Sequence, residues 1–246
     1  MNTLLLGVNI DHIATLRQAR YPGMLDSPNC EPDLLAAAAI CEKAGASGIT
    51  THLRADRRHI QDEDVYRLRK SLKTKMNLEM GNTPEIVEIA LRVKPEDVCL
   101  VPENRREITT EGGLDAAGQL DALTPTVRRL NDAGIHVSLF IEPAFPQIDA
   151  AVKLHAHSVE LHTGAFANTQ GEAHAAELAR IREAAAYAHE RGLQVNAGHG
   201  INYVNIAEIR EVPYLTELNI GHTIISRAIF AGLEAAVKEL IAAMRG

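Results

Sequence analysis

Cysteine is scarce in this chain, and long apolar runs are absent. Cys30, Cys41 and Cys99 are odd in number and lack CxxC spacing, which indicates neither a disulfide framework nor a cysteine zinc site and predicts reduced thiols. No apolar run approaches the roughly 18 residues that a membrane span requires. The run from Leu4 to Val8 is too short for a signal peptide and has no basic residue before it. These absences predict a cytoplasmic protein with no membrane partner.

An excess of positive charge is also missing, and so are linker segments. The formal net charge of −7 argues against a nucleic-acid partner, although a local basic patch could still hold a small phosphate. No stretch rich in Pro, Gly or Ser and no low-complexity tract interrupts the 246 residues, of which 46% are hydrophobic. We therefore expect one domain, residues 1–246, with a full core.

Short apolar runs alternate with amphipathic or Ala-rich segments along the whole chain. The predicted strands are Leu4–Asp11, Gly48–Arg54, Met76–Met80, Asp97–Glu103, His136–Glu142, Ser158–Gly164, Gln194–Gly200 and Glu217–His222. The predicted helices are Asp33–Ala44, Asp62–Leu72, Pro84–Val93, Gln119–Ala133, Pro146–Leu154, Glu172–Arg191, Val204–Arg210 and Thr223–Met244. Eight strand–helix pairs in about 250 residues predict a (β/α)8 TIM barrel. A Rossmann fold is disfavoured because no GxGxxG follows the first strand.

The segment Gly48–Ile60 changes from a strand pattern to a charged loop within a few residues. Alternation places Thr50, His52 and Arg54 on one side of the strand. Burying a His or an Arg is costly unless it is paired, so this side indicates an anion site beside a titratable group. The following RADRR could instead be a solvated charge cluster.

Polar residues stand at the ends of all eight predicted strands, where a barrel carries its active site. They are Asn9, Asp11, His52, Arg54, Glu79, Glu103, Glu142, Glu160, His162, His199 and His222. One such residue could be a satisfied core polar group, but eight strand ends together predict a polar pocket.

Two glycine-bearing strand ends predict a phosphate site. Strand seven ends in Asn-Ala-Gly-His-Gly up to Gly200, and strand eight ends in Asn-Ile-Gly-His up to His222. Many barrels bind phosphate there through backbone N–H groups, although such glycines can also serve only as turn formers.

A long connection follows strand four, from Glu103 to Gln119. Loops of this length are uncommon unless they are functional or disordered. Gly112 and Gly113 could act as hinges of a lid, and a merely mobile loop is an equal alternative.

The motifs GVNIDHIATLRQAR, GITTHLRADRRHI, MNLEMG, CLVPE with EITTEGGLD, VSLFIE, VELHTG, VNAGHG and ELNIGHTIISRA span nearly the whole chain. In this order they resemble the pyridoxine 5′-phosphate synthase family of deoxyxylulose-dependent vitamin B6 synthesis. The sequence departs from the family in segments such as Tyr21–Glu31 and Ala144–Gln147, which leave the matched polar positions intact.

The resemblance implies condensation of 1-deoxy-D-xylulose 5-phosphate with 3-amino-2-oxopropyl phosphate to pyridoxine 5′-phosphate, inorganic phosphate and water, without a metal or organic cofactor. It implies that His52 and Glu79 accept protons, His199 donates one and Glu160 supports the transition states. It further implies an aminoketone phosphate site of Asn9, Arg20, Gly200, Gly221 and His222, and a deoxyxylulose phosphate site of Asp11, His12, Arg54, His59 and Thr109. The family relation also implies a homo-octamer.

Two other functions stay open at this point. A metal-dependent lyase or hydrolase could use His52, Glu79, His199 and His222 as ligands, although the sequence lacks an HxH pair and a His-x-x-x-His helix. A noncatalytic sensor of a phosphorylated ligand would need fewer titratable groups than this chain carries.

Overall fold

The computed structural model describes residues 4–103 and 112–246. Eight parallel strands pair in sequence order and close into a barrel, with β8 returning to β1. The strands are β1 Leu5–Asn9, β2 Gly48–His52, β3 Lys75–Met80, β4 Asp97–Leu100, β5 His136–Ile141, β6 Ser158–His162, β7 Gln194–Gly198 and β8 Leu215–Ile220. The TIM-barrel prediction is confirmed.

Helices follow the strands and cover the barrel on the outside. Those in the described ranges are α1 Asp11–Gln18, α2 Leu34–Ala44, α3 Asp62–Ser71, α4 Pro84–Val93, α5 Leu120–Asp132, α6 Phe145–Lys153, α7 Gly164–Asn168, α8 Gly171–Glu190, α9 Ile206–Ile209, α10 His222–Ala231 and α11 Leu233–Arg245. Their apolar faces pack on outward strand residues such as Ile49, Leu78 and Val159, which are fully buried. None of the helices in 4–103 and 112–246 is long and apolar enough to cross a membrane.

Local sequence signals explain where several helices begin and end. Asp33 caps α2 by accepting from the amides of Leu35 and Ala36. Gln61 and Asp64 form a capping box at the start of α3. Gly45 ends α2 in the left-handed conformation, with φ of 108°.

The predicted helix Thr223–Met244 is wrong as one element, because Gly232 divides it into α10 and α11. Gly232 has φ 82° and ψ 151°, a conformation open almost only to glycine. The sequence prediction also missed the short helices α1 and α7. The predicted strands Leu4–Asp11 and Ser158–Gly164 were too long, and they included the first residues of these two helices.

The inside of the barrel is polar. Thr50 on β2 donates to Asn219 on β8 at 2.9 Å, and Asn219 in turn donates to Glu160 on β6 at 2.7 Å. These strands are not neighbours, so the contacts cross the barrel interior. At the amino-terminal end of the strands, the Lys75 ammonium group lies 2.6 Å from Asp97 and 2.8 Å from Glu217. The barrel therefore has a hydrogen-bonded polar axis and an apolar outer core.

Residues 104–111 of the long connection after β4 lie outside the described residues, and the hypothesis of a lid there stays a prediction. Its described end lies close to β5, since the amide of Gly113 donates to Glu142 at 3.1 Å.

Candidate active site

A cavity of about 850 Å³ opens at the carboxyl ends of the strands. The structure brings together most of the predicted site residues in its walls: Asn9, Asp11, His12, His52, Arg54, His59, Glu79, Glu160, His199, Gly200, Gly221 and His222. Arg20 is exposed beyond α1 and does not line the cavity. Thr109 lies outside the described residues.

Asp11 joins the ends of β1 and β2. One of its carboxylate oxygens accepts from the His52 amide at 2.9 Å and from the Thr51 hydroxyl at 3.2 Å. The other oxygen accepts from the Asn9 amide nitrogen at 2.9 Å. These bonds position His52 and Asn9, so Asp11 supports the cavity wall as well as lining it.

His52 contacts a carboxylate at the end of β4. Its Nε2 lies 3.1 Å from Glu103 Oε1, and Glu103 also accepts from the amides of Ala55 and Gly81. Burial alone would raise the pKa of Glu103, but the bonds from His52 and Ala55 outweigh burial and lower it. The ionised Glu103 therefore orients the His52 ring toward the cavity.

The loop after β2 supplies the cationic side of the cavity. Arg54, Arg58 and His59 line it, and Asp56 bridges the two arginines, 3.8 Å from Arg54 and 2.6 Å from Arg58. His59 Nδ1 accepts from the Ile60 amide at 2.9 Å, which leaves Nε2 to carry the proton of the neutral ring. Burial lowers the pKa of His59, with Asp11 opposing and His52 and Arg54 reinforcing the shift. The loop is suited to an anionic ligand.

Glu79 and Glu160 form the acidic floor of the cavity. Burial raises the pKa of Glu79 well above its usual value, Glu160 and Asp11 add to this rise, and a hydrogen bond from Asn9 opposes it. Burial raises the pKa of Glu160 to about 7, opposed by Asn219. Two carboxyl groups in one buried site resist ionising together, so the floor can hold and release a proton near neutral pH.

His199 is held at the end of β7 in the left-handed conformation, with φ of 74°. The buried Thr163 hydroxyl lies 2.5 Å from the His199 carbonyl and 2.9 Å from that of Gly198. These bonds fix a backbone conformation that a non-glycine residue rarely adopts. Burial, reinforced by His162, lowers the pKa of His199 to about 4. His199 therefore begins neutral at pH 7.

The N-terminus of α10 lines the cavity at the end of β8. Gly221 precedes the helix, and a Cβ on it would lie 2.9 Å from the Asn9 Cβ. His222 begins the helix, and its Nδ1 lies 3.1 Å from Nδ1 of His12. Burial lowers the pKa of His12, and His222 adds to this effect. Free amides at a helix start beside two imidazoles form a binding place for an anion.

Sequence reasoning missed several cavity residues. Asn219 lines the cavity and holds Glu160, while Val101 and Phe140 form an apolar wall. Asn219 belongs to the strand-eight motif, so its inward register was the available signal. Apolar wall residues carry no such signal. Within the described ranges, no three His, Cys, Asp or Glu side chains are grouped to hold a metal ion.

The likeness to solved structures concerns the fold. The chain superimposes on KGPDC from Streptococcus mutans with a TM-score of 0.67 at 11% identity, covering 99% of this chain and 98% of that one. A phosphoribosylanthranilate isomerase from Thermotoga maritima gives a TM-score of 0.61 at 13% identity, covering 99% of both chains. At such low identity these matches support the barrel architecture alone.

Sequence relatives are far more similar. The pyridoxine 5′-phosphate synthase of Akkermansia muciniphila is 59% identical over 238 residues, 96% of this chain and 97% of that protein. The enzyme of the same name from Aliivibrio fischeri is 54% identical over 247 residues, 100% of this chain and 99% of that protein. The family profile described as pyridoxal phosphate biosynthesis protein PdxJ matches residues 6–246. The chain therefore belongs to the PdxJ family of pyridoxal phosphate biosynthesis proteins.

Proposed function

We propose that the cavity is the active site of a pyridoxine 5′-phosphate synthase. It would condense 1-deoxy-D-xylulose 5-phosphate with 3-amino-2-oxopropyl phosphate, releasing phosphate and water. One observation carries this proposal: Glu79 and Glu160, both with raised pKa values, line the same cavity as two places suited to anions. Ring closure from an amine and two carbonyl compounds requires several proton transfers, and the acidic floor supplies groups for them.

The two anion sites divide the substrates between them. Arg54 and His59 would hold the deoxyxylulose phosphate, because a guanidinium and an imidazole N–H donate to phosphate oxygens. The amides of Gly200, Gly221 and His222 would hold the aminoketone phosphate at the start of α10. Asp11 and His12 would contact the sugar part, since a carboxylate accepts from hydroxyl groups. Asn9, between Glu79 and Gly221, would contact the aminoketone.

Two further substrate contacts, by Arg20 and Thr109, rest on the family resemblance. Arg20 is exposed outside the cavity, and Thr109 lies outside the described residues. Both stay proposals from the family resemblance.

The pKa directions of the cavity residues support the proposed acid and base roles. Glu79 becomes a strong base once ionised, because its pKa is raised by burial and neighbouring carboxylates. His52, oriented by Glu103, would be the second proton acceptor. Glu160 would support cationic stages of the reaction when ionised.

His199 would become the proton donor only after substrate binds. Its pKa of about 4 makes the ring neutral at pH 7. A phosphate dianion at the adjacent Gly200 amide would favour the imidazolium and raise that pKa. The anionic substrate would thus charge the acid that acts on it.

Incubation of the purified chain with both substrates tests the proposal. We expect equimolar pyridoxine 5′-phosphate and inorganic phosphate, with the same rate after treatment with a chelator. A rate lost to the chelator and restored by a divalent ion would support the metal-dependent alternative. Ligand binding without product would support the sensor.

Variants test the assigned roles. Glu79→Gln and His52→Asn should each lower kcat by roughly 10²- to 10⁴-fold, the usual range for acid–base groups. Arg54→Ala should mainly raise KM for the deoxyxylulose phosphate. A Glu79→Gln enzyme with near-native kcat and weakened binding would make Glu79 a binding residue instead.

We also propose a homo-octamer that works in the cytoplasm. Ile229 and Phe230 on α10 are 75% and 86% exposed, and large apolar residues side by side on a surface support burial against another subunit. Light scattering during size-exclusion chromatography measures the mass directly. Free thiols at Cys30, Cys41 and Cys99 are consistent with a reducing compartment.

A further inference from the structure

A carboxylate–imidazole pair lies directly behind the cavity, and the reaction described above leaves it without a role. Glu142, just beyond β5, accepts from Nδ1 of His162, the last residue of β6, at 2.7 Å. The His162 bond lowers the pKa of Glu142 to about 2, and Gly113 and Arg180 add to this effect against burial. Glu142 is therefore ionised at all working pH values, and as an anion it only accepts hydrogen bonds.

The ionised partner fixes the tautomer of His162. Nδ1 must carry a proton, so Nε2 of the neutral ring is a bare acceptor. His162 is 8% exposed, and its Nε2 is buried without a hydrogen-bond partner among the described residues. An unsatisfied buried polar atom costs free energy, which suggests that this nitrogen has a use in function.

His162 lies against His199. The ring centroids of the two histidines are 5.0 Å apart. A Cβ on Gly164 would lie 2.4 Å from His162 Nε2 and 3.1 Å from His199 Cδ2. Only glycine therefore fits at 164, and its absence of a side chain leaves the two rings in direct contact.

Residues 162–164 contact both the backbone and the ring of His199. Thr163 bonds to the His199 carbonyl at 2.5 Å and fixes the backbone, while His162 and Gly164 flank the ring. His162 does not line the cavity, so it acts through His199 and not on substrate.

The groups that face this pair come from α8, from the loop before α5 and from the end of β7. Arg180 on α8 lies 3.3 Å from Glu142 and 2.6 Å from Glu177. The Gly113 amide donates to Glu142 at 3.1 Å. His199 is the titratable group on the cavity side. The His162 ring is therefore held by Glu142 on one side and contacts the His199 ring on the other.

We propose that His162 is a positioning residue for the reaction: held by Glu142, it packs against the His199 ring and orients that ring in the cavity. The kinetic part of this inference rests on the proposed function, whereas the contact between the two rings does not.

The first test is an NMR titration of the His199 ring in the native chain and in His162→Gln. Loss of the neighbouring imidazole should raise the pKa of His199 part of the way from about 4 toward the ordinary value of about 6.5, because burial, the larger cause of the lowering, remains. His174→Gln is the matched control, because His174 forms a similar pair with Glu208 at 3.1 Å outside the cavity. An unchanged His199 titration in His162→Gln would overturn the inference, whether or not the chain shows synthase activity.

The second test is a double-mutant cycle in kinetics. His162→Gln should lower kcat roughly 10- to 100-fold, as misplacing a reacting group does, with little change in KM. In a His199→Asn background the same substitution should have no further effect. An equal loss in both backgrounds would refute a role through His199.

Glu142→Gln provides an independent variant if His162→Gln does not fold. A neutral amide no longer holds the Nδ1 proton by charge, so the His162 ring is fixed less firmly against His199 and kcat should fall with little change in KM. An unchanged kcat in Glu142→Gln would count against the pair as the positioning unit.

Discussion

Arg17→Met tests the buried ion pair that joins α1 to α3 beside the cationic loop. Arg17 donates to the two carboxylate oxygens of Asp64, each at 2.7 Å, and both side chains are only 4% exposed. Arg17 also donates to the His59 carbonyl at 3.3 Å. The pair therefore supports both the helix packing and the backbone of a proposed substrate-binding residue.

The burial of this ion pair sets the expected loss of stability in Arg17→Met. Removing one partner of such a pair leaves an uncompensated buried charge, which costs about 3–5 kcal/mol. For a chain of this size we expect Tm to fall by about 2–4 °C per kcal/mol, or roughly 6–20 °C in total. The double variant Arg17→Met, Asp64→Leu should lose less than either single variant, because no unpaired charge remains.

Thermal and urea unfolding of the native chain, both single variants and the double variant measure these differences. Arg128→Gln is the control, since Arg128 and Asp132 are 81% and 72% exposed, and such a surface pair contributes below about 0.5 kcal/mol. At temperatures where Arg17→Met stays folded, KM for the deoxyxylulose phosphate should rise because His59 loses a backbone contact. If Arg17→Met lowers the free energy of unfolding no more than Arg128→Gln does, the reasoning is refuted.

Phosphate soaked into crystals should bind the amides of Gly200, Gly221 and His222; density for water alone at saturating phosphate would contradict that site. Glu160→Gln should match the native chain in free energy of unfolding below pH 4.5 and exceed it above pH 7. The raised pKa of Glu160 means that its protonated form stabilises the fold, and this stabilisation is lost as pH rises through about 7. Unfolding measured across this pH range checks the sign. Gly198→Ala should lower kcat, since its Cβ would lie within 2.2 Å of Glu160 Oε1; unchanged kinetics would show that Glu160 moves freely.

The sequence determined the barrel and the ring of polar strand ends. Helix stop signals such as Gly45 and Gly192 take the left-handed conformation, with φ of 108° and 79°, so the alternation of strands and helices was set by local chemistry. Because parallel strands end on one face of a closed barrel, the polar residues at those ends were expected to converge. Most of them line the cavity, whereas Glu103, Glu142 and His162 lie behind its lining.

Tertiary structure alone decided what each polar residue contacts. Asp11 bonds the end of β2, and Glu160 is held by Asn219, 59 residues away in sequence. Arg17 pairs with Asp64, 47 residues away, although neither was recognised in the sequence as important. Arg20 lies outside the cavity. Barrel closure sets these distances and the burial that shifts each pKa, and neither is encoded in the local spacing of residues.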